Sequence, residues 1–260
     1  MSHPVFRFGN AITRAPAASA VNGLRAVDTG TPDIGRMQAD HADYVATLRE
    51  TGADVTVLPA LKDYPDSLFV EDAALCLPEG AVLLRPGTNA RAGEVAAIAP
   101  ALCEAFETVL EVKGPGTIEG GDILTTAREI LVGLSARTTA EGAAELAELV
   151  RPWNYKVRVL ETPPGVLHFK TDCALLDEET ILTTRRLEVS GCFRDYRIIH
   201  TADGEEAAAN AIRFNDLVLM PAGFGATADR LRAAGYDVRE IGNGECAKLD
   251  GGMSCLSLRF

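Results

Sequence analysis

Apolar residues recur at helical spacing in five stretches of this chain, and short apolar runs bounded by turn residues lie between them. The clearest helical pattern opens at Thr31, an N-cap type of residue with Pro32 in the first turn. It carries Ile34, Met37, Tyr44, Val45 and Leu48 before Gly52 supplies a stop. The same periodicity predicts helices over residues 91–106, 139–150, 205–212 and 227–235, the last ended by Gly235. The intervening runs are too short for helices and read as strands.

These strands come in repeating pairs. Asp72 opens an apolar run, a Pro78-Glu79-Gly80 turn and a second run; Asp122 opens the next pair and Asp172 a third, at intervals of 50 residues. A fourth hairpin over residues 210–221 and a terminal strand over residues 250–258 continue the series at shorter spacing, and residues 6–13 are placed to close the last unit. A period near fifty, made of hairpin, helix and further strand, predicts an α/β protein arranged as a radial array of about five units around an axis. A doubly wound open sheet is the rival, but it alternates single strands with helices and has no use for hairpins. No linker-like stretch divides the chain, so residues 1–260 are expected to form one domain.

Composition leaves this architecture intact and narrows the partners. With 47% hydrophobic residues and a mean hydropathy of +0.06, the chain is in the ordinary globular range. A net charge of -12 argues against nucleic acid and anionic membranes as partners and favours a small cationic substrate. No apolar run is long enough to span a bilayer, and residues 1–8 lack the pattern of a secretion signal, so a cytoplasmic location is expected. Six cysteines without paired spacing are expected to be reduced thiols.

Standard motifs fail. Residues 242–247 match a relaxed dinucleotide pattern but precede a strand instead of a helix, Ser135 lacks the second glycine of a serine elbow, and no Cys/His spacing suits zinc. No metal and no cofactor are expected. What stands out is polar residues at strand entrances: Glu71 and Asp72, then Glu119 and Asp122 around two glycines. Unpaired carboxylates are costly to bury, so these need a cation or donors; turn-capping residues paired with surface arginines would look the same. His168 lies in an apolar run leading into Asp172, where a hydrogen-bonded core histidine would also fit. Cys255 follows Gly251-Gly252, and a small buried hydrophobe is its alternative.

Taken together, a thiol nucleophile, a histidine acid/base and carboxylates without a metal suit attack on a guanidinium carbon. The carboxylates match the planar N–H fork, the soft thiolate can add to a weak electrophile, and the basic amine must leave protonated.

At this point the chain resembles the dimethylarginine dimethylaminohydrolases of the guanidino-group-modifying superfamily. The resemblance covers nearly the whole chain and rests on residues 64–72, 119–122, 133–138, 166–171 and 249–255. It implies a five-unit α/β propeller, with Cys255 as nucleophile, His168 as general acid and then base, and Glu119 orienting His168. It further implies that Asp72 and Glu71 grip the guanidinium with Asp66 nearby, that Arg91 and Arg137 clamp an α-carboxylate, and that the backbone carbonyls of Leu24 and Leu249 take the α-amino group. The implied substrate is a methylated arginine, the implied product citrulline; a homodimer is left open. Two alternatives stand beside this reading: a hydrolase of arginine or another guanidino or ureido compound, and a non-catalytic propeller that only binds.

Overall fold

The computed structural model describes residues 5–260, so the first half of the segment read for a secretion signal lies outside the described residues. The strands form five sheets of three. In the first, β1 (Asn10–Arg14) is followed by α1 (Ile34–Glu50) and β2 (Asp54–Leu58). The second contains β3 (Ala74–Leu77), β4 (Gly80–Leu83), α2 (Ala92–Ala105) and β5 (Val109–Glu111). The third is β6 (Ile123–Thr125), β7 (Ile130–Leu134), α3 (Ala140–Val150) and β8 (Val157–Glu161). The fourth is β9 (Cys173–Leu175), β10 (Thr180–Thr183), α4 (Arg185–Glu188) and β11 (Arg197–His200). The fifth comprises β12 (Ile212–Phe214), β13 (Leu217–Pro221), α5 (Gly225–Ala233) and β14 (Asp237–Ile241). After it come α6 (Gly244–Ala247) and β15 (Leu258–Arg259).

Each unit is an antiparallel pair whose second strand is met by a parallel strand returning after a helix. The first unit obeys the same rule across the chain ends, because β15 supplies the antiparallel partner of β1. The expected closure of the array by N-terminal residues is therefore observed. The architecture is the five-unit α/β propeller.

Neighbouring units share their cores. One apolar cluster joins Met37, Tyr44 and Leu48 of the first unit to Phe214, Leu219 and Ile241 of the fifth. Another joins Leu77 and Val82 to Leu146 and Val150 of the following unit, and a third joins Leu124 and Leu131 to Phe169, Ile181 and Leu187. Ala174 and Leu182 meet Val218 and Leu231 in a fourth cluster, and Ile12 and Leu258 meet Ala81, Ile98 and Leu102 in a fifth. No unit buries its apolar face alone, as expected of stacked repeats.

Around the axis each unit contributes one short 3₁₀ turn: Val70–Ala73, Gly120–Asp122, Phe169–Thr171, Glu206–Ala209 and Ser254–Leu256. The 50-residue aspartate period belongs to this ring. Asp72 Oδ1 accepts Gly121 N–H at 2.9 Å, and Asp122 Oδ1 accepts Phe169 N–H at 2.8 Å, so each latches the next turn. Asp172 departs from the pattern by holding Thr184 and Arg186 of its own unit.

The same turns correct several sequence expectations. His168 and Cys255 were expected in strands; His168 instead precedes a 3₁₀ turn, and Cys255 is within one. Thr171 Oγ1 accepts His168 N–H at 3.3 Å, a local bond that competes with a sheet ladder. The helix expected over residues 205–212 shrinks to Glu206–Ala209, since the chain must enter β12 at Ile212. The first long helix is capped by Asp33, whose side chain accepts Arg36 N–H at 3.0 Å, and not by Thr31; Gly52 does follow its end, at φ +91°.

Candidate active site

The 3₁₀ ring carries the chemistry because its turns place side chains at the axis without the pleat's strict alternation. Glu119 immediately precedes the turn Gly120–Asp122 and is wholly buried. Its Oε1 accepts Gly87 N–H at 2.8 Å and Arg137 Nη1–H at 3.2 Å, and its Oε2 lies 2.6 Å from His168 Nε2. The glycines beside it are steric necessities. A Cβ on Gly120 would overlap the carbonyl of Glu71, and one on Gly121 would come within 2.7 Å of His168 Nδ1 and 2.9 Å of Asp72 Oδ1. Asp72 itself holds Gly121 N–H on one oxygen and Arg91 Nη1 at 2.5 Å on the other.

Cys255 faces the same cavity as Asp72 and His168. Gly252 N–H approaches its Sγ at 3.4 Å, and the Asn210 amide nitrogen lies 4.0 Å away. Gly251 and Gly252 make room for the Phe69 ring and the Asn210 amide, which any Cβ there would overlap. The two glycines before the thiol thus make room for protein groups and not for a ligand.

Burial dominates the electrostatics, and partners decide its sign. Burial alone would lower the His168 pKa, but Asp72 and the hydrogen bond to Glu119 outweigh it and push it up to about 9. Burial also disfavours ionised Asp72, yet His168 and Arg91 hold its pKa down at about 2. At Cys255 burial and the nearby carboxylates Asp72 and Glu71 push the thiol up to about 12, opposed by Gly252 N–H and Lys170. The resting site therefore holds an imidazolium beside a neutral thiol. Asp72, Glu119 and His168 bring ligand-type atoms within 4.8 Å of one another. Both carboxylates already answer arginines and main-chain N–H groups, and His168 is cationic, so the set suits the N–H groups of an organic cation better than a metal ion.

Asp72, His168 and Cys255 open on a cavity of about 180 Å³ lined also by Leu24, Asp66, Arg91, Arg137 and Leu249, among others, whereas Glu119, held by His168 and Arg137, is not part of its wall. Arg137 spends one nitrogen on Glu119, which leaves the rest of its fork for a carboxylate. Arg91 differs from the expected clamp: Nε and Nη2 hold Glu94 at 3.0 and 2.8 Å, Nη1 holds Asp72, and Nη2 also donates to the Phe69 carbonyl at 2.9 Å. Glu71 differs more. Its carboxylate turns away from this cavity, accepting Lys170 Nζ at 2.5 Å and Arg259 Nη2 at 2.6 Å, and it lines a separate cavity of about 400 Å³. Adjacent residues in a 3₁₀ turn project about 120° apart, and here that step turns Asp72 to this cavity and Glu71 to the other.

Sequence reasoning missed Arg25, Ala26, Phe69, Leu167 and Asp250, which also line the cavity. Asp250 carried a readable signal, since aspartate is among the few non-glycine residues that readily take a left-handed backbone, here at φ +59°. Leu24 N–H donates to Asp66 Oδ1 at 3.0 Å and Ala26 N–H to Asp250 Oδ2 at 2.6 Å, fastening the loop that edges the site.

Comparison with known proteins meets this geometry from outside. The family model described as arginine deiminase matches residues 59–216. The N(G),N(G)-dimethylarginine dimethylaminohydrolase of Pseudomonas aeruginosa is 37% identical over 97% of this chain and 100% of its own. A cysteine-to-serine variant of the dimethylarginine dimethylaminohydrolase from that organism, solved with citrulline, superposes with a TM-score of 0.95 at 36% identity, covering 98% of this chain and 100% of that one. A histidine-to-glycine dimethylarginine dimethylaminohydrolase, solved as an adduct with S-methyl-L-thiocitrulline, gives a TM-score of 0.94 at 36% identity over 97% of this chain and 100% of its own. Fold, near-complete coverage and identity agree: this chain belongs to the dimethylarginine dimethylaminohydrolase family, within the wider group that the arginine deiminase model spans.

Proposed function

We propose that this protein hydrolyses Nω-methylated arginines to citrulline and dimethylamine or methylamine through a covalent adduct on Cys255. The observation that carries the reading is the convergence of thiol, imidazolium and two buried carboxylates on one small cavity with Arg137 at its wall. The names of the relatives and the citrulline and thiocitrulline in the solved neighbours support the same substrate class.

The substrate guanidinium brings its own positive charge to Asp72, with Asp66 also in the cavity wall, and its side chain reaches out so that the α-carboxylate meets Arg137. Placed beside Sγ, that cation offsets the carboxylates that hold the thiol neutral, and the thiol proton is released to solvent. The thiolate then adds to the guanidinium carbon. His168, cationic at rest, gives its proton to the departing nitrogen; the C–N bond breaks, the amine leaves, and an S-alkylthiouronium cation remains. Now neutral, His168 takes a proton from water as the oxygen adds to the thiouronium carbon. Collapse breaks the C–S bond and releases citrulline, and the hydroxyl proton returns to the sulfur.

Six free thiols fit a reducing compartment, so the same reading places the enzyme in the cytoplasm. Among the described residues no helix is long and apolar enough to cross a membrane.

Release of the ureido product, citrulline from asymmetric dimethylarginine, monomethylarginine and arginine and N-carbamoylputrescine from agmatine, tests the proposal. The methylated amino acids should react fastest, and Cys255→Ser should abolish turnover while binding changes by less than about tenfold. Faster hydrolysis of arginine would move the substrate assignment while leaving the catalytic set. No turnover together with no labelling by a cysteine-directed analogue would revive the purely binding propeller.

A further inference from the structure

The latch positions of the ring are not all alike. Asp72 stands two residues before β3 and accepts the main-chain N–H of Gly121; Asp122 stands just before β6 and accepts that of Phe169. In the fifth unit Asn210 stands two residues before β12 and its Oδ1 accepts Ser254 N–H at 3.0 Å, the same latch made to the turn that carries the nucleophile. Asn210 is buried, and its carbonyl also accepts Met253 N–H at 3.3 Å. Gly252 has no Cβ where one would overlap the Asn210 amide, so the chain is shaped around this side chain. With Oδ1 committed to Ser254, the amide nitrogen is directed at Cys255 Sγ, 4.0 Å away.

An aspartate here would make the latch equally well, as it does in two other units. It would also add a third carboxylate to the field of Asp72 and Glu71, which already opposes ionisation of this sulfur. An amide keeps the acceptor and replaces the second oxygen with a donor, which is the polarity a thiolate needs. We propose that Asn210 is a positioning residue for the nucleophile, fixing the Cys255 turn through its carbonyl oxygen and stabilising the thiolate through its amide N–H. This rests on Cys255 being the nucleophile. The Gly252 N–H at 3.4 Å is the companion donor, so that sulfur lies between a main-chain and a side-chain N–H.

Asn210→Asp separates this role from a purely structural one, because it retains the latch oxygen and loses the donor. Two readouts are taken: the pH dependence of Cys255 alkylation by iodoacetamide, followed by intact-protein mass spectrometry with peptide assignment, and kcat and KM for citrulline formation. The variant should fold with an unchanged circular dichroism spectrum. At every pH between 7 and 9 its Cys255 alkylation should be about tenfold slower, the drop in thiolate fraction that one unit of added thiol pKa produces, and kcat should fall at least tenfold while KM stays within threefold. Alkylation and kcat at wild-type levels in the folded variant would overturn the proposal. Should Asn210→Asp fail to fold, Gly252→Ala decides by the same readouts, since its Cβ displaces the Asn210 amide; a wild-type alkylation profile there would overturn the proposal equally. The alkylation arm needs no turnover, so it stands or falls separately from the substrate assignment.

Discussion

His168 shows how one side chain couples catalysis to stability. Its folded pKa of about 9 exceeds the ordinary 6.5, through Asp72, the bond to Glu119 and Asp122 acting against burial. A group raised on folding contributes stability that is fully present below the unfolded pKa and lost as pH rises through the folded one. The window here is therefore pH 6.5 to about 9. We expect the urea midpoint of the wild type to fall across that window, and the fall to be smaller in His168→Gln, which cannot titrate. Parallel midpoint-against-pH curves for the two proteins would rule out the raised pKa. The same charge is what the departing amine requires, so a histidine with an ordinary pKa would be a weaker acid catalyst at neutral pH only because less of it would be protonated.

At the scale of elements, the loop between the turn Ala18–Asn22 and α1 depends on two carboxylates from elsewhere in the chain, Asp66 on Leu24 N–H and Asp250 on Ala26 N–H. Asp250→Gly keeps the left-handed backbone and removes one fastening. It should leave global stability within about 0.5 kcal/mol, speed amide exchange at Ala26 by about tenfold and raise KM; unchanged exchange at Ala26 would show that the fastening is idle. The helices and hairpins of the units were legible in the sequence, because amphipathic spacing in residues such as Met37, Tyr44 and Leu48 reports burial directly. The 50-residue aspartate spacing was legible as a period, but its meaning was not, since a latch to another unit's main chain leaves no local pattern. Cys255, His168, Glu119, Asp72 and Arg137 could be named in advance from their chemistry and the family resemblance. The outward turn of Glu71 could not, because its partners Lys170 and Arg259 are far away in the chain; Arg91 and Glu94 are only three residues apart, a pairing the spacing allowed, but that Arg91 is buried and shared with Asp72 and the Phe69 carbonyl was not legible.

At the scale of the molecule, each apolar cluster is shared by adjacent units, and the ring is closed by the last strand. β15 brings Leu258 into the cluster with Ile12, Ile98 and Leu102, and Arg259 to Glu71 at 2.6 Å. Removing residues 258–260 would expose that cluster and leave Glu71 with Lys170 alone, a loss on the order of 4 kcal/mol. The single tryptophan, Trp153, packs between the second and third units against the cluster of Leu77 and Leu146, one cluster along the ring from the one that Leu258 enters. If the shared cores bind the units into one cooperative body, the truncation should lower the urea midpoint seen by Trp153 fluorescence as much as that seen by far-ultraviolet circular dichroism. A fluorescence midpoint that holds while the circular dichroism midpoint falls would mean that the second and third units stand on their own, and that closure of the ring protects only the segment carrying Cys255.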